Sequence, residues 1–365
     1  MRFDLPLVFL VPYLFAIGAV IGSFLNVCIY RLPDSERLRE QLRGLLSPPS
    51  HCPRCGQRIL RKDNLPVVGW ILLRGRCRFC QLRISPRYPL IEAANGLLFL
   101  LVFFCEVPTS WHGTAQDSCL FSPMGPQGNP FSTFFSPTMV VFWRWVYHMV
   151  LLESLVVATF IDIDLRIIPD GSTLPAMAVG LAGSLLGCVY IVPVWFQDVS
   201  LLNALGSLSG SRFPSFVPQT PVPVWIAAHP HWHGLAVSLA GLIVGGGSIW
   251  MVRIIGQWVL KREAMGFGDV ILMAMIGSFL GWQATLVVFF LAPVCALVVV
   301  AALWLFRRDR EIPYGPYLSL ATLILLIGWK HIWPSAERVF SLGLFVPAMG
   351  VVMCVLLYLS LQVMQ

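Results

Sequence analysis

Long stretches of almost unbroken apolar residues decide what this chain can fold into. Nine are present, at residues 7–30, 90–107, 139–161, 174–196, 235–258, 270–281, 286–306, 317–329 and 342–361. Runs of about 20 apolar residues are long enough to cross a bilayer as helices; the sixth and eighth are short for that. Inside lipid the backbone has no water to bond, so a spanning run satisfies itself as a helix. With 57% hydrophobic and only 12% charged residues, and a mean hydropathy of +0.76, the fold class is an all-α polytopic membrane protein of about eight to nine transmembrane helices. The bilayer is its first expected partner.

Charge predicts orientation. Thirteen of the 25 Lys and Arg lie between Arg31 and Arg87, and Arg166, Lys261, Arg262, Arg307, Arg308 and Arg310 fall on the same side if the runs alternate. The opposite segments, 106–138 and 197–233, carry only Arg212. Basic loops stay in the cytoplasm, so the 31–87 side is read as cytoplasmic. The net charge of +7 is then a consequence of topology, and no nucleic-acid partner is expected. The first run lacks a small-residue cleavage site and reads as a retained anchor with its N-terminus outside.

Three regions follow: a first transmembrane helix at 1–30, a cytoplasmic zinc-ribbon-like loop at 31–89, and a transmembrane core at 90–365 with outer insertions near 106–138 and 197–233. The loop holds Cys52-Pro53-Arg54-Cys55 and Cys77-Arg78-Phe79-Cys80. Two C-x2-C pairs separated by 21 residues supply four thiolates for one tetrahedral zinc with no open position, hence a structural site. A cytoplasmic location disfavours disulfides. Cys28, Cys105, Cys119, Cys188, Cys295 and Cys354 are scattered and read mostly as packing residues.

Two acids stand where apolar runs meet the membrane edge. Met265-Gly266-Phe267-Gly268-Asp269 lies between the fifth and sixth runs, and its glycines leave the backbone bare and bendable. Asp269 alone reads equally as a helix N-cap. Asp162 follows the third run, and alternation of sides brings both acids to one face. Two carboxylates that share a proton are an arrangement for activating water against a peptide bond. Pro169 and Asp170 are expected to stop the third helix by Ile168, leaving Asp162 on a short linker or frayed end.

Elsewhere the plainer readings prevail. Asn26, and Gly22 with Ser23, read as helix-packing contacts; Glu92 complements a helix N-terminus. Arg144 and Glu153 need not pair. Gly245-Gly246-Gly247 allows a tight helix contact, and 106–138 and 197–233 have loop composition. No phosphate-binding loop, dinucleotide fingerprint or H-E-x-x-H pair is present, and no internal repeat at a fixed period.

Together these pieces resemble the type IV prepilin peptidase family, membrane aspartic proteases with a Gly-x-Gly-Asp motif. The resemblance rests on Gly22-Ser23-Phe24-Leu25-Asn26, both Cys-x-x-Cys pairs, Ser85-Pro86-Arg87-Tyr88-Pro89, Asp162 to Asp170, Glu263 to Asp269, and Ile312-Pro313-Tyr314-Gly315-Pro316. It implies Asp162 as the first catalytic acid, with Asp164 as the alternative, and Asp269 as the second. It implies prepilin or pseudopilin substrates cut at the cytoplasmic face of the bacterial inner membrane, in pilus assembly or type II secretion, and, in many members, N-methylation with S-adenosylmethionine. Two other readings stay open: a peptidase without methyl transfer, and a zinc-ribbon scaffold or transporter with inert acids. The chain departs from the family's pattern at Ile271, where a Lys is common, in the length of both outer insertions, and in the ninth run.

Overall fold

The computed structural model describes residues 6–47, 49–107, 137–187, 189–195, 229–261, 265–305, 313–342 and a few positions between 350 and 359. Its helices are α1 (Leu7–Arg31), α2 (Leu38–Leu46), α3 (Val68–Leu72), α4 (Arg87–Glu106), α5 (Pro137–Leu165), α6 (Asp170–Ser184), α7 (Pro230–Leu260), α8 (Phe267–Leu280), α9 (Trp282–Leu305) and α10 (Gly315–Phe340). No strand occurs among the described residues; two isolated bridges pair His51 with Arg58 and Arg76 with Arg83. Among the described residues, five helices (α1, α4, α5, α7 and α9) are long and apolar enough to cross a membrane.

Two expected spans change and one lies elsewhere. The fourth, expected over 174–196, begins earlier, at Asp170, and ends at Ser184. Gly187 at φ +70° turns the chain, and 189–195 continues as buried, non-helical backbone. Side chains satisfy it: Gln283 Nε2 donates to Pro193 O and Trp282 Nε1 to Val194 O, both at 2.7 Å, while Val194 N–H donates to His233 Nε2 at 3.0 Å. Irregular backbone at membrane depth survives only with such partners. The eighth is longer than expected, since α10 continues past Trp329 to Phe340. Most of the ninth, 342–361, lies outside the described residues, as do almost all of the insertions at 106–138 and 197–233.

Apolar side chains gain little by leaving lipid for one another, so close backbone approach has to hold the helices together. Glycines provide it. A Cβ on Gly18 would lie 2.8 Å from Gly96 Cα, and one on Gly22 would lie 2.9 Å from Glu92 Cα, so α1 and α4 touch backbone to backbone. Gly241 of α7 and Gly277 of α8 are closer still: a Cβ on either would overlap the other's carbonyl oxygen. Of the glycine triplet, Gly245 and Gly246 face α8 and Gly247 faces open space.

α8 is enclosed on every side, with Leu272, Met273, Met275, Ile276 and Leu280 all buried. Tyr147 Oη on α5 donates to Gly180 O at 2.7 Å and to Ser278 O at 3.2 Å, joining α5, α6 and α8. α4 and α5 run antiparallel and are fastened at both ends. Arg87 Nη1 meets Asp164 Oδ2 at 2.6 Å, and His148 Nδ1 meets Glu106 Oε2 at 3.0 Å in full burial. Nothing in the sequence spacing points to the second pair, because its members lie on different runs. Asn26 Nδ2 donates to Tyr88 O at 3.1 Å, the packing role expected of it.

Candidate functional site: an acid pair and a four-cysteine module

Asp162 lies in the last turn of α5, not on a frayed end. The helix stops three residues later, where Arg166 takes the left-handed conformation at φ +58° and its N–H closes on Asp162 O at 2.8 Å. That left-handed stop, rather than Pro169, ends the helix. The short linker Ile167–Ile168–Pro169 leads to α6, with Asp170 in its first turn. Asp162 is 5% exposed.

Asp269 is likewise buried, in the first turn of α8. It is not the N-cap. Gly266 holds that position, extended at φ −67° and ψ 150°, and Asp269 reaches back three residues to the Gly266 backbone N–H. A carboxylate there satisfies an orphan donor and faces the positive end of the helix dipole.

The fold brings the two acids near each other: the charge of Asp162 reaches Asp269. Glycine again sets the approach. A Cβ on Gly315, at the head of α10, would lie 2.5 Å from Asp162 Oδ2, and a Cβ on Gly268 would lie 3.0 Å from Ile168 Cβ. The Gly315 N–H is directed at Asp162. Asp162 Oδ2 has no hydrogen-bond partner among the described residues. A buried carboxylate oxygen without a partner is costly, and here it accompanies a second buried carboxylate. Tyr314 stands beside them; burial first, then the Asp269 carboxylate, pushes its phenol up to about 12, so its hydroxyl keeps its proton. Asp164, two residues from Asp162 and on the far side of the helix, is turned to Arg87.

The four cysteines also converge. The Sγ atoms of Cys52, Cys55, Cys77 and Cys80 all lie within 4.8 Å of one another, which is the spread of a tetrahedral thiolate site. The two knuckles share one backbone motif. Cys52 N–H donates to Gln57 O and Gly56 N–H to Cys52 O, both at 2.9 Å; Cys77 N–H donates to Leu82 O at 2.9 Å and Gln81 N–H to Cys77 O at 3.0 Å. Gly56 and Gln81 occupy the same left-handed position, at φ +69° and +57°. The two copies also share an Arg-Ile pair three residues after the second cysteine, Arg58-Ile59 and Arg83-Ile84, a signal of this small repeat that the sequence carried. Backbone N–H groups of Cys80 and Phe79 draw the Cys77 thiol down to about 7, toward the thiolate a metal needs. Asp63 grips Arg78 through two bonds of 2.7 and 2.6 Å.

Comparison with known proteins fits this arrangement. Residues 16–105 match the model described as the bacterial peptidase A24 N-terminal domain, and residues 217–301 match that of the type IV leader peptidase family. A leader peptide-processing enzyme for type 4 prepilin-like proteins from Escherichia coli O78:H11 is 30% identical, over 83% of this chain and 88% of its own length. The chain belongs to the type IV leader peptidase family. Two other relatives are named prepilin leader peptidase/N-methyltransferase. The one from Klebsiella pneumoniae is 31% identical over 74% of this chain and 86% of its own length. The one from Aeromonas hydrophila is 29% identical over 86% and 89%. No solved structure matches.

Within this leader peptidase, Asp269 falls inside the second matched segment and Asp162 between the two. The role of Gly315 was not legible in the sequence, where Pro313-Tyr314-Gly315-Pro316 reads as a turn. Its test is direct. Gly315→Ala forces a methyl group against Asp162 and is expected to lower peptide cleavage at least about tenfold, since small misplacements of reacting groups are expensive. The measurement is cleavage rate per amount of protein in membranes; an unchanged rate would show that the acid tolerates displacement.

Proposed function

We propose that the chain is a membrane-embedded aspartic endopeptidase that cuts the basic leader from type IV prepilins and pseudopilins, then methylates the new N-terminus. The observation that carries the peptidase is the meeting of Asp162 and Asp269 at the ends of separate helices. One carboxylate, ionised, takes a proton from water as the oxygen attacks the scissile carbonyl carbon. The other, protonated, gives its proton to the carbonyl oxygen. Collapse of the tetrahedral intermediate breaks the C–N bond, and the amine leaves with a proton from the pair. The two protons are a property of the pair, so neither aspartate owns a single role. The Gly315 N–H orients Asp162 through the cycle. Methyl transfer is supported by the names of the relatives, with S-adenosylmethionine as the methyl source.

The site lies on the cytoplasmic face of the bacterial inner membrane, the side on which a prepilin's basic leader remains. The substrate's apolar helix lies along the bundle. Cys52, Cys55, Cys77 and Cys80 hold one zinc ion, which fixes the fold of the loop and takes no part in the chemistry.

Orientation is tested by labelling single cysteines in a background without other thiols. Ile167→Cys, beside the acid pair and 48% exposed, is expected to resist an impermeant reagent in intact cells and to react after lysis. Gln127→Cys, between α4 and α5 in the chain, is expected to react in intact cells. Labelling of Ile167→Cys from outside would invert the topology and remove cytoplasmic cleavage. Mass measurement of a prepilin incubated with the protein in membranes reads both reactions at once, as loss of the leader and gain of one methyl group.

A further inference from the structure

The corner between α5 and α6 has Asp162 on one side and Ile168 in its linker. It is gripped from outside by the segment that joins α1 to the four-cysteine module. On the α5 side, Leu32 is buried in one apolar group with Leu25, Cys28, Val157 and Ile161, the residue before Asp162. Leu45 of α2 packs against the same group. On the α6 side, Gln41 of α2 is 3% exposed, and its Oε1 accepts the Gly171 N–H at 2.6 Å. Both ends of the linker are thus held by a single stretch of chain, 32–45, with Gln41 lying 130 residues before its partner.

The Gln41 contact is more than packing. Gln41 is the one buried residue of α2. Packing alone would ask for an apolar side chain there, because a buried amide costs free energy unless its polar atoms are bonded. Both ends are bonded here. Oε1 takes the Gly171 N–H, and Nε2 donates to Ser35 O at 2.7 Å. The first N–H groups of a helix have no partner within it, and α6 gains none from its own cap, since Pro169 brings no side-chain acceptor. Ser172 Oγ instead donates to Pro169 O at 2.7 Å. Gln41 therefore caps α6 from another helix. That helix is itself tied to α1, where Arg31 Nη1 donates to Gly44 O at 3.0 Å. Only glycine fits at the contact: a Cβ on Gly171 would lie 2.7 Å from Gln41 Oε1 and 2.8 Å from Leu32 Cδ2.

We infer that Gln41 is a positioning residue for peptide cleavage: through Gly171 it fixes the head of α6 and the Ile167–Ile168–Pro169 linker, and so the placement of Asp162. The inference rests on the acid-pair reading of the reaction. Gln41 bonds neither acid and acts through the linker. Ile168 stands against Gly268 and Gly315, and Gly315 stands against Asp162. A shift at the head of α6 is passed along these contacts. Reacting groups have to be held to within about 0.5 Å by the residues behind them, so a small shift is expensive. The contact also gives the N-terminal part a share in cleavage. Residues 32–45 fall inside the matched segment 16–105, and both acids lie beyond it.

The test uses full-length protein in membranes, with cleavage rates measured over a range of prepilin concentrations. Gln41→Met keeps the length of the side chain and loses both bonds. It is expected to lower kcat at least about tenfold with KM changed less than about twofold, as for an interaction that acts on the bound substrate. Gln41→Glu keeps an oxygen for the Gly171 N–H and is expected to hold kcat within about threefold of the parent. Gln41→Met combined with Ile168→Val should lose less than the product of the two single losses, because both act on one linker, whereas unrelated damage multiplies. Normal kcat in Gln41→Met would overturn the inference, as would an equal loss in Gln41→Glu or a double variant that loses the full product. Should Gln41→Met fail to accumulate, Gly171→Ala decides. It presses a methyl group on Gln41 Oε1 and is expected to lower kcat in the same way; an unchanged kcat there overturns the inference. Normal cleavage by Asp269→Asn would instead remove the acid-pair reading beneath it.

Discussion

Asp162→Asn and Asp269→Asn, made separately, are each expected to reduce prepilin cleavage by about a thousandfold or more while the protein accumulates normally. Asparagine keeps the shape of the carboxylate and removes its proton chemistry. Losing one positioned acid or base costs typically 10²–10⁴-fold, and groups that act as a unit lose nearly everything with the first member. The stability side points the same way. Both acids are buried, and the charge of Asp162 reaches Asp269. An amide of the same shape puts a neutral group where a buried carboxylate stood, which lowers the cost of burial, so the variants should be about as stable as the parent. Asp164→Asn is the control, since its carboxylate is engaged with Arg87 and its removal should cost little cleavage. The measurement is leader removal over time in membranes at matched protein levels. Normal cleavage by Asp269→Asn would leave the pair without a catalytic role.

The second large effect concerns the four cysteines. Their module has almost no apolar core. Ile71, Leu72, Phe79 and Leu82 are more than half exposed, so it is the sulfur cluster that must organise the loop. A structural zinc in such a module is worth about 10–16 kcal/mol, more than the whole stability of many domains. Purified protein is therefore expected to carry about one zinc per chain. Cys52→Ser with Cys55→Ser should carry none and should become sensitive to protease across 49–86, with the helix bundle intact. Metal analysis and limited proteolysis give the two readings. A wild type free of metal and resistant to protease would refute the site without touching the acid pair.

Much of this was legible from residue order alone. Apolar run length gave the long helices, because lipid leaves a backbone no alternative to its own hydrogen bonds. Cysteine spacing gave the sulfur cluster, because two residues between ligands is a local geometric requirement. The two acids stood out because charge is rare at membrane depth. What stayed hidden depends on contacts between distant segments. The stretch at 189–195 is as apolar as a span yet non-helical, and only Gln283, Trp282 and His233 make that possible. Gly315 looked like a turn residue until Asp162 arrived against it. Glu92 looked like a dipole partner until Val67, twenty-five residues earlier, proved to be its ligand. The Glu106–His148 pair joins two runs whose register no spacing rule supplies.

Ile168 carries a consequence for how the acids are set. Its side chain stands against Gly268 at the head of α8 and against Gly315 at the head of α10, and it belongs to the linker that leaves Asp162's own helix. One side chain thus acts as a spacer gauge between three helix ends. The placement of the acids is tied to side-chain bulk within the fold itself. Changes on outer faces of the bundle can then alter which peptides are admitted without resetting the cutting edge.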